Sequence, residues 1–311
     1  MRRMLRVYSA DQVHAALPWP ALVEQLARAF RDGAQAPVRH AHSLGDQDAL
    51  LLMPAWSASA LGVKLVTVMP DNASRGADTV QACYLLLDRG TGQALALLDG
   101  EALTLRRTAA ASALAARYMA RDDSRCLLIV GAGRLAGWMA RAHYALRPGI
   151  EQVLVWGRRP AAAEALAATL RGEGLPARAA PELESAVRGS DIIRCATTAT
   201  APLLRGDWLA PGCHLDLVGA FRPDMRETDA AAVLRSRVVV DTYSGALAEA
   251  GDLLQAMKDG HITRQHIVAE LAELVRGTAS GRLNAQDITL FKSVGTALED
   301  LAAAQMVAGQ A

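Results

Sequence analysis

The sequence predicts an α/β protein built around two sheets of different kinds, and three observations carry that prediction. From Arg125 onward, apolar strand-like runs alternate with helical ones, the rhythm of a parallel sheet covered on both faces. Before residue 100, strand-like runs at 50–53, 62–68, 80–87 and 94–98 are separated by turn signals such as Asp71-Asn72 and Arg89-Gly90-Thr91-Gly92. That spacing suits a smaller domain with a mixed or antiparallel sheet. Third, CLLIVGAGRLAG, from Cys126 to Gly137, joins an apolar strand to a helix through the tight turn Gly131-Ala132-Gly133.

Taken in order, residues 9–16 read as a helix start or turn at Ser9-Ala10-Asp11-Gln12. Residues 20–33 read as a helix with Leu22, Leu26, Ala29 and Phe30 on one face. Residues 104–121 form a long Ala-rich helix leading into the second domain. Strands are expected at 127–130, 153–156, 191–195, 214–218 and 238–240. Helices are expected at 135–146, 161–171 and 181–188, and further ones at 252–258 and 265–276. The segment 291–307 is expected to be one amphipathic helix, with Val294, Leu298 and Leu301 at helical spacing, returning to the first domain.

Composition narrows the function. The 311 residues suffice for two cores, and 33 Lys and Arg against 32 Asp and Glu leave no basic field for nucleic acid. The 4 cysteines, Cys83, Cys126, Cys195 and Cys213, are scattered through apolar segments and read as reduced core residues of a cytoplasmic protein. No apolar run suits a signal peptide or a membrane span. His40 with His42, and His214 near Asp216, have no metal-ligand spacing, so no metal is expected. No serine elbow or cysteine–histidine pair is present. Hydride transfer by a bound cofactor is the chemistry left.

The glycine turn exposes backbone N–H groups to a dinucleotide pyrophosphate, the arrangement of a Rossmann-type domain. A turn in an α/β domain that binds nothing is the bland alternative, since the third small position falls at Ala136 or Gly137 rather than in the full spaced fingerprint. In an NAD site an acidic residue closes the next strand, whereas VLVW ends here in Gly157-Arg158-Arg159. Guanidinium groups bind a 2′-phosphate that a carboxylate would repel, so NADPH is the expected cofactor, with NADH possible. The expected contacts are Gly131, Gly133, Arg134, Leu135 and Ala136 at the turn, then Arg158 and Arg159. Thr197, Thr198 and Gly219, beyond later strand ends, would floor the nicotinamide. For the threonines a helix cap or turn is the competing role.

In Gly62-Val63-Lys64-Leu65-Val66, alternation puts Lys64 opposite Val63 and Leu65, either at a wet edge or as a charge in a cleft. Arg106-Arg107-Thr108 at the expected helix opening needs an anionic partner, for which a substrate carboxylate is one candidate. Arg39 lies in a polar loop, an ordinary position for a surface arginine.

Over nearly its whole length the chain resembles the ornithine cyclodeaminase/mu-crystallin family. The resemblance rests on MPAW at 53–56, GVKLV at 62–66 and ALALLDG at 94–100, then on LTLRRTAAASALAARYMAR and IVGAGRLA. It continues in GAFRPDMRETD at 219–229 and FKSVGTALED at 291–300. It implies NAD(P)-dependent imine chemistry on α-amino or α-imino acids in a homodimer joined through its non-nucleotide domains. On this basis residues 1–107 plus 290–311 form the substrate and dimerisation domain, and 108–289 the nucleotide domain. The resemblance assigns substrate-carboxylate binding to Arg39, Lys64 and Arg107, and to Lys64 a part in proton transfer as well. Family cyclodeaminases carry an aspartate two residues after the first glycine of the 219 loop, where this chain has Phe221, with Asp224 a poor substitute. The chain therefore looks like the ketimine and Δ1-pyrroline-2-carboxylate reductase branch, making L-proline or L-pipecolate from a cyclic imino acid. Cyclisation of L-ornithine, alanine dehydrogenase-like activity and a non-catalytic NADPH-binding role are the alternatives.

Overall fold

In the computed structural model, which describes residues 4–309, the chain divides into two compact units. The divisions fall at Thr108/Ala109 and Gly295/Thr296, so the first unit is discontinuous and the second a single stretch.

The first unit opens with β1 (Arg6–Tyr8), α1 (Ala10–Ala16) and α2 (Trp19–Asp32). Ser9 starts α1 through a reciprocal capping box with Gln12. Then come β2 (His40–Ser43), β3 (Ala49–Trp56), β4 (Ala60–Val68), β5 (Val80–Asp88) and β6 (Ala94–Asp99), in the sheet order β1-β6-β5-β4-β3-β2. Only β1 and β6 run parallel. Helix α3 (Gly100–Met119) follows β6 without a loop. Gly100 is needed there because a Cβ would lie 2.7 Å from the Ala82 carbonyl carbon. The helix begins four residues earlier than its alanine run suggests, so Arg106 and Arg107 do not open it. Asp99 holds its start by accepting from Ala102 N at 2.8 Å, and the dipole argument for an anionic partner at Arg107 does not apply.

The second unit contains β7 (Cys126–Val130), α4 (Arg134–Leu146), β8 (Gln152–Trp156), α5 (Pro160–Gly172), β9 (Ala177–Ala179), α6 (Leu183–Arg188) and β10 (Ile192–Cys195). It continues through β11 (His214–Leu217), α7 (Ala230–Arg235), β12 (Arg237–Val240), α8 (Tyr243–Glu249) and α9 (Gly251–Lys258). It closes with β13 (Ile267–Glu270), α10 (Leu271–Arg276) and β14 (Thr289–Lys292). All pairs in the order β13-β12-β14-β11-β10-β7-β8-β9 are parallel. Chain order reverses between β7 and β10, the place where such sheets bind ligands.

Two sequence expectations are corrected here. The helix expected over 265–276 is a short 3-10 turn, then β13, and only then α10. Pairing with β12 along the sheet edge overrides the helical composition. The single helix expected over 291–307 is also two elements. Phe291 lies in β14, inserted between β11 and β12, and the helix, α11, runs Ala297–Val307. Nor is α11 amphipathic: nearly every side chain is buried, because it lies in the first unit against α2, β3, β4 and β5. Of the four cysteines, Cys195 and Cys213 are buried and Cys83 and Cys126 only half-buried; all are free thiols.

Inside the second unit, Arg194 on β10 ion-pairs with Asp216, its register partner on β11, and both are buried. His143 and His214 are buried beside them, and neither ring nitrogen of His143 has a partner. Burial first, then the charge of Arg194, holds both imidazoles well below their ordinary value. They are therefore neutral in the fold, while the unfolded chain takes up protons below about pH 6.5. Folding stability should fall as pH drops from about 6.5 toward 5, by about 1.4 kcal/mol per pH unit for each histidine. Chemical denaturation across that range should show roughly half the slope in His143→Leu; an unchanged slope would remove His143 from the account.

Candidate functional site

The glycine turn is shaped by the strand beside it. Gly131 has φ +118°, and a Cβ there would stand 2.7 Å from the Ala196 carbonyl oxygen, so only glycine fits. Gly133 is the N-cap of α4, no side chain caps that helix, and a Cβ on Gly133 would meet nothing within 4 Å. A cavity of about 640 Å³ opens over this turn, at the switch point between β7 and β10. Its walls include Gly131, Gly133, Arg158, Arg159, Thr197 and Thr198. Arg158 and Arg159 are exposed at its rim and form no ion pair among the described residues. Arg134, Leu135, Ala136 and Gly219 do not line it: Arg134 is exposed, and Ala136 is buried in the packing of α4.

Thr197 and Gly219 are tied together from below by a residue the sequence reading missed. Glu227 is fully buried; one carboxylate oxygen accepts from Thr197 N and Thr197 Oγ1, each at 2.8 Å, and the other from Gly219 N at 2.8 Å. The Thr197 hydroxyl thus anchors its own loop. A Cβ at Gly219 would lie 2.1 Å from Thr197 O, which fixes glycine there. Behind Glu227, Asp252 Oδ1 accepts from Glu227 N at 2.7 Å and Thr228 N at 3.1 Å, and Asp252 Oδ2 lies 3.2 Å from Lys292 Nζ at the end of β14. Three ionisable groups without solvent exposure, far apart in sequence, were the signal; only the fold brings them together. The neighbouring Phe221 is 43% exposed, and Asp224 is held by Arg222 through two bonds of 3.0 and 2.7 Å. No carboxylate stands where Phe221 is.

The first unit gathers the predicted cations. Lys64 is on β4, flanked by β3 and β5 rather than at an edge, and faces the buried side with Met53 and Tyr84 as register neighbours. Its Nζ lies 2.8 Å from Asp300 Oδ2 and 3.4 Å from Thr104 Oγ1. Arg107 donates from Nε to Asp300 Oδ1 at 3.0 Å and from Nη1 to Glu299 Oε2 at 2.6 Å. Its anionic partner is thus a pair of protein carboxylates on α11. Arg39, half-buried just before β2, is near enough for its charge to act on Lys64.

Burial, opposed by Asp300 and reinforced by Arg107 and Arg39, brings the Lys64 ammonium down to about 8. Against burial, Asp300 and Glu299 hold Arg107 above its ordinary value. Against burial again, Arg107 and Lys64 keep the Asp300 carboxyl below the usual range. Two donors stay open in this buried cluster. The ammonium has three N–H bonds and two partners. Arg107 Nη2 makes no hydrogen bond among the described residues. The Tyr84 hydroxyl, register neighbour of Lys64, is likewise buried without one. Glu299 and Asp300 were legible only as adjacent acids in a helix of alanine and leucine.

The second unit thus carries a glycine turn with arginines one strand further on, and the first a buried cation cluster with open donors. The model of the ornithine cyclodeaminase/mu-crystallin family matches residues 2–311, and the chain belongs to that family. It is 42% identical over 280 residues to protein SAR DEFICIENT 4 of Arabidopsis thaliana, covering 88% of this chain and 86% of that one. It is 37% identical over 311 residues to the Δ1-pyrroline-2-carboxylate reductase of Colwellia psychrerythraea, covering 97% and 98%. Among solved structures, the Thermococcus litoralis Δ1-pyrroline-2-carboxylate reductase in complex with NADH and L-proline superposes with a TM-score of 0.93. That pair is 37% identical over 99% of this chain and 97% of the other. No described helix is long and apolar enough to cross a membrane, and no described His, Cys, Asp and Glu cluster could hold a metal ion.

Proposed function

We propose that this chain reduces a cyclic ketimine acid, Δ1-pyrroline-2-carboxylate or its six-membered homologue, to the corresponding cyclic L-amino acid, L-proline or L-pipecolate, with NADPH as reductant. The observation that carries this is the open pair of donors, Arg107 Nη2 and the third Lys64 N–H, on two side chains that are themselves buried. Glu299 and Asp300 fix both cations beforehand, so a substrate carboxylate meets donors already oriented. Arg39 adds positive potential, and Lys64, at about 8, is a group able to hold or share a proton near neutrality. The bound cofactor supplies the hydride. A protonated imine is already electrophilic, so the chain's task is to bind and orient it.

On the cofactor side, the glycine turn and the start of α4 are shaped for a pyrophosphate, and the rim arginines Arg158 and Arg159 for a 2′-phosphate. Phe221 and the internally paired Asp224 speak against ornithine cyclisation. The test is nicotinamide absorbance with NADPH and Δ1-pyrroline-2-carboxylate, alongside reactions with L-ornithine, with pyruvate and ammonia, and with NADH. Oxidation of NADPH on the imino acid alone is the expected result; ammonia released from L-ornithine would overturn it.

We also propose a homodimer through the first unit. One sheet face is covered by α11, on which α2 packs. On the other, β4 Leu61, Val63 and Leu65 lie in register with β5 Leu87, Leu85 and Cys83, all half-buried. An apolar face of that extent suits a second copy. Light scattering should give a dimer for the natural chain and a monomer for Leu85→Glu; a monomer for both would end the proposal.

A further inference from the structure

Glu227, Asp252 and Lys292 are all without solvent exposure, two acids against one base. If the ion pair of Asp252 with Lys292 is set aside, one carboxylate is left in the interior with no protein cation of its own. Such a charge is costly unless a ligand meets it. Burial and the neighbouring Asp252 push the Glu227 carboxyl above its ordinary value, opposed by Lys292 and the bonds from Thr197; each of its oxygens accepts from a backbone N–H, and those fixed donors favour the ionised form. Its position says what it faces. The glycine turn after β7 and the arginines after β8 lie toward one side of the switch point, and the loops after β10 and β11 toward the other. A dinucleotide lying across that point puts its nicotinamide on the β10–β11 side, where Glu227 underlies Thr197 and Gly219.

We infer that Glu227 is a positioning and electrostatic residue for the nicotinamide. It holds the loops at Thr197 and Gly219 as the floor for the ring, and its buried negative charge favours the oxidised, cationic ring over the reduced, neutral one. This rests on the nucleotide-binding half of the proposed function and not on the identity of the imino acid. The charge lowers the cost of hydride leaving the reduced ring, because positive charge develops there as the bond breaks. Glu227 acts through the loop it holds; Thr197, at the cavity wall, is the residue facing the ligand.

The test is binding rather than turnover. Dissociation constants for NADP⁺ and NADPH are measured by calorimetry for the natural chain, Glu227→Gln and Thr197→Val, with thermal melts to verify folding. Removing a unit charge beside the ring should weaken NADP⁺ binding about tenfold more than NADPH binding in Glu227→Gln. Thr197→Val disturbs the same loop but keeps the charge, so both affinities should fall together. Should Glu227→Gln not fold, Asp252→Asn, which removes the second acid of the cluster, should move the ratio in the same direction by a smaller factor. Equal weakening of both nucleotides in the charge variants, or an equal ratio change in Thr197→Val, overturns the inference and leaves the nucleotide reading intact. No binding of either nucleotide to the natural chain overturns both.

Discussion

Lys64→Met should lose about 10²–10³-fold in kcat/KM for the cyclic imino acid while NADPH affinity stays within about twofold. The substitution removes a charge-assisted hydrogen bond in a buried setting together with the positive potential at the carboxylate. It also leaves Asp300 with Arg107 alone, so the melting temperature should drop, with a stability loss of about 3 kcal/mol. Loss of packing and loss of recognition separate with a substrate whose carboxylate is replaced by a carboxamide. The natural chain should already handle that compound poorly, and Lys64→Met should add little further loss. A variant within about fivefold of the natural chain on the acid would remove Lys64 from substrate recognition. The same residue sets a pH dependence. Burial lowers its proton affinity to about 8, so the charged form that binds carboxylate is present below that pH and disappears above it. The affinity of a planar aromatic carboxylate, which does not itself titrate there, should fall as pH rises through about 8. In Lys64→Arg that fall should be absent, since a guanidinium keeps its proton.

The second large effect concerns the cofactor. Replacing Arg158 and Arg159 together by serine should weaken NADPH by about 10²-fold and change NADH by little, because only the phosphorylated nucleotide has a group for them to hold. Both side chains are exposed at the cavity rim, so the discrimination should shrink as salt is raised. Steady-state kinetics with both nucleotides at low and high ionic strength reads this directly. Equal losses for NADPH and NADH would instead mean that the arginines only shape the loop after β8.

What the sequence made legible followed physical distinctness. The turn at Gly131 announces itself because a tight strand-to-helix junction admits few residue types, and the structure shows the reason in the Ala196 carbonyl beside it. Strands β3 to β6 are long, apolar and bounded by turn residues. By contrast, Thr289-Leu290-Phe291-Lys292 is a four-residue strand with only two apolar residues, beside a helical pattern. Periodicity does not separate a short buried strand from a helix of that composition, and β14 enters the sheet far from its place in chain order. Ile267 to Glu270 failed likewise: its pairing with β12 is non-local.

For the site, Lys64 and Arg107 stood out because charge in an apolar strand or an alanine-rich helix is conspicuous, whereas Arg39 in its polar loop was marked only by the family resemblance; the structure brings the three to one place. Their counterions did not stand out. Glu299 and Asp300 follow Lys64 by more than two hundred residues, and two acids near the start of a helix ordinarily read as dipole partners facing water. Glu227 was hidden in the same way, inside a loop where a carboxylate is unremarkable.

The placement of α11 has a consequence for the order in which the protein is made. Lys64 and Arg107 are buried against Asp300 and Glu299, yet the whole second unit is synthesised between them. As the chain leaves the ribosome, residues 4–108 hold Lys64 and Arg107 without their α11 counterions and strands β3 to β5 without the helix that covers them. The second unit, being continuous, can complete its fold first. The first unit must wait, partly assembled, for α11, so cellular handling of this chain should be most sensitive to substitutions in α11 and in the β4 residues it covers.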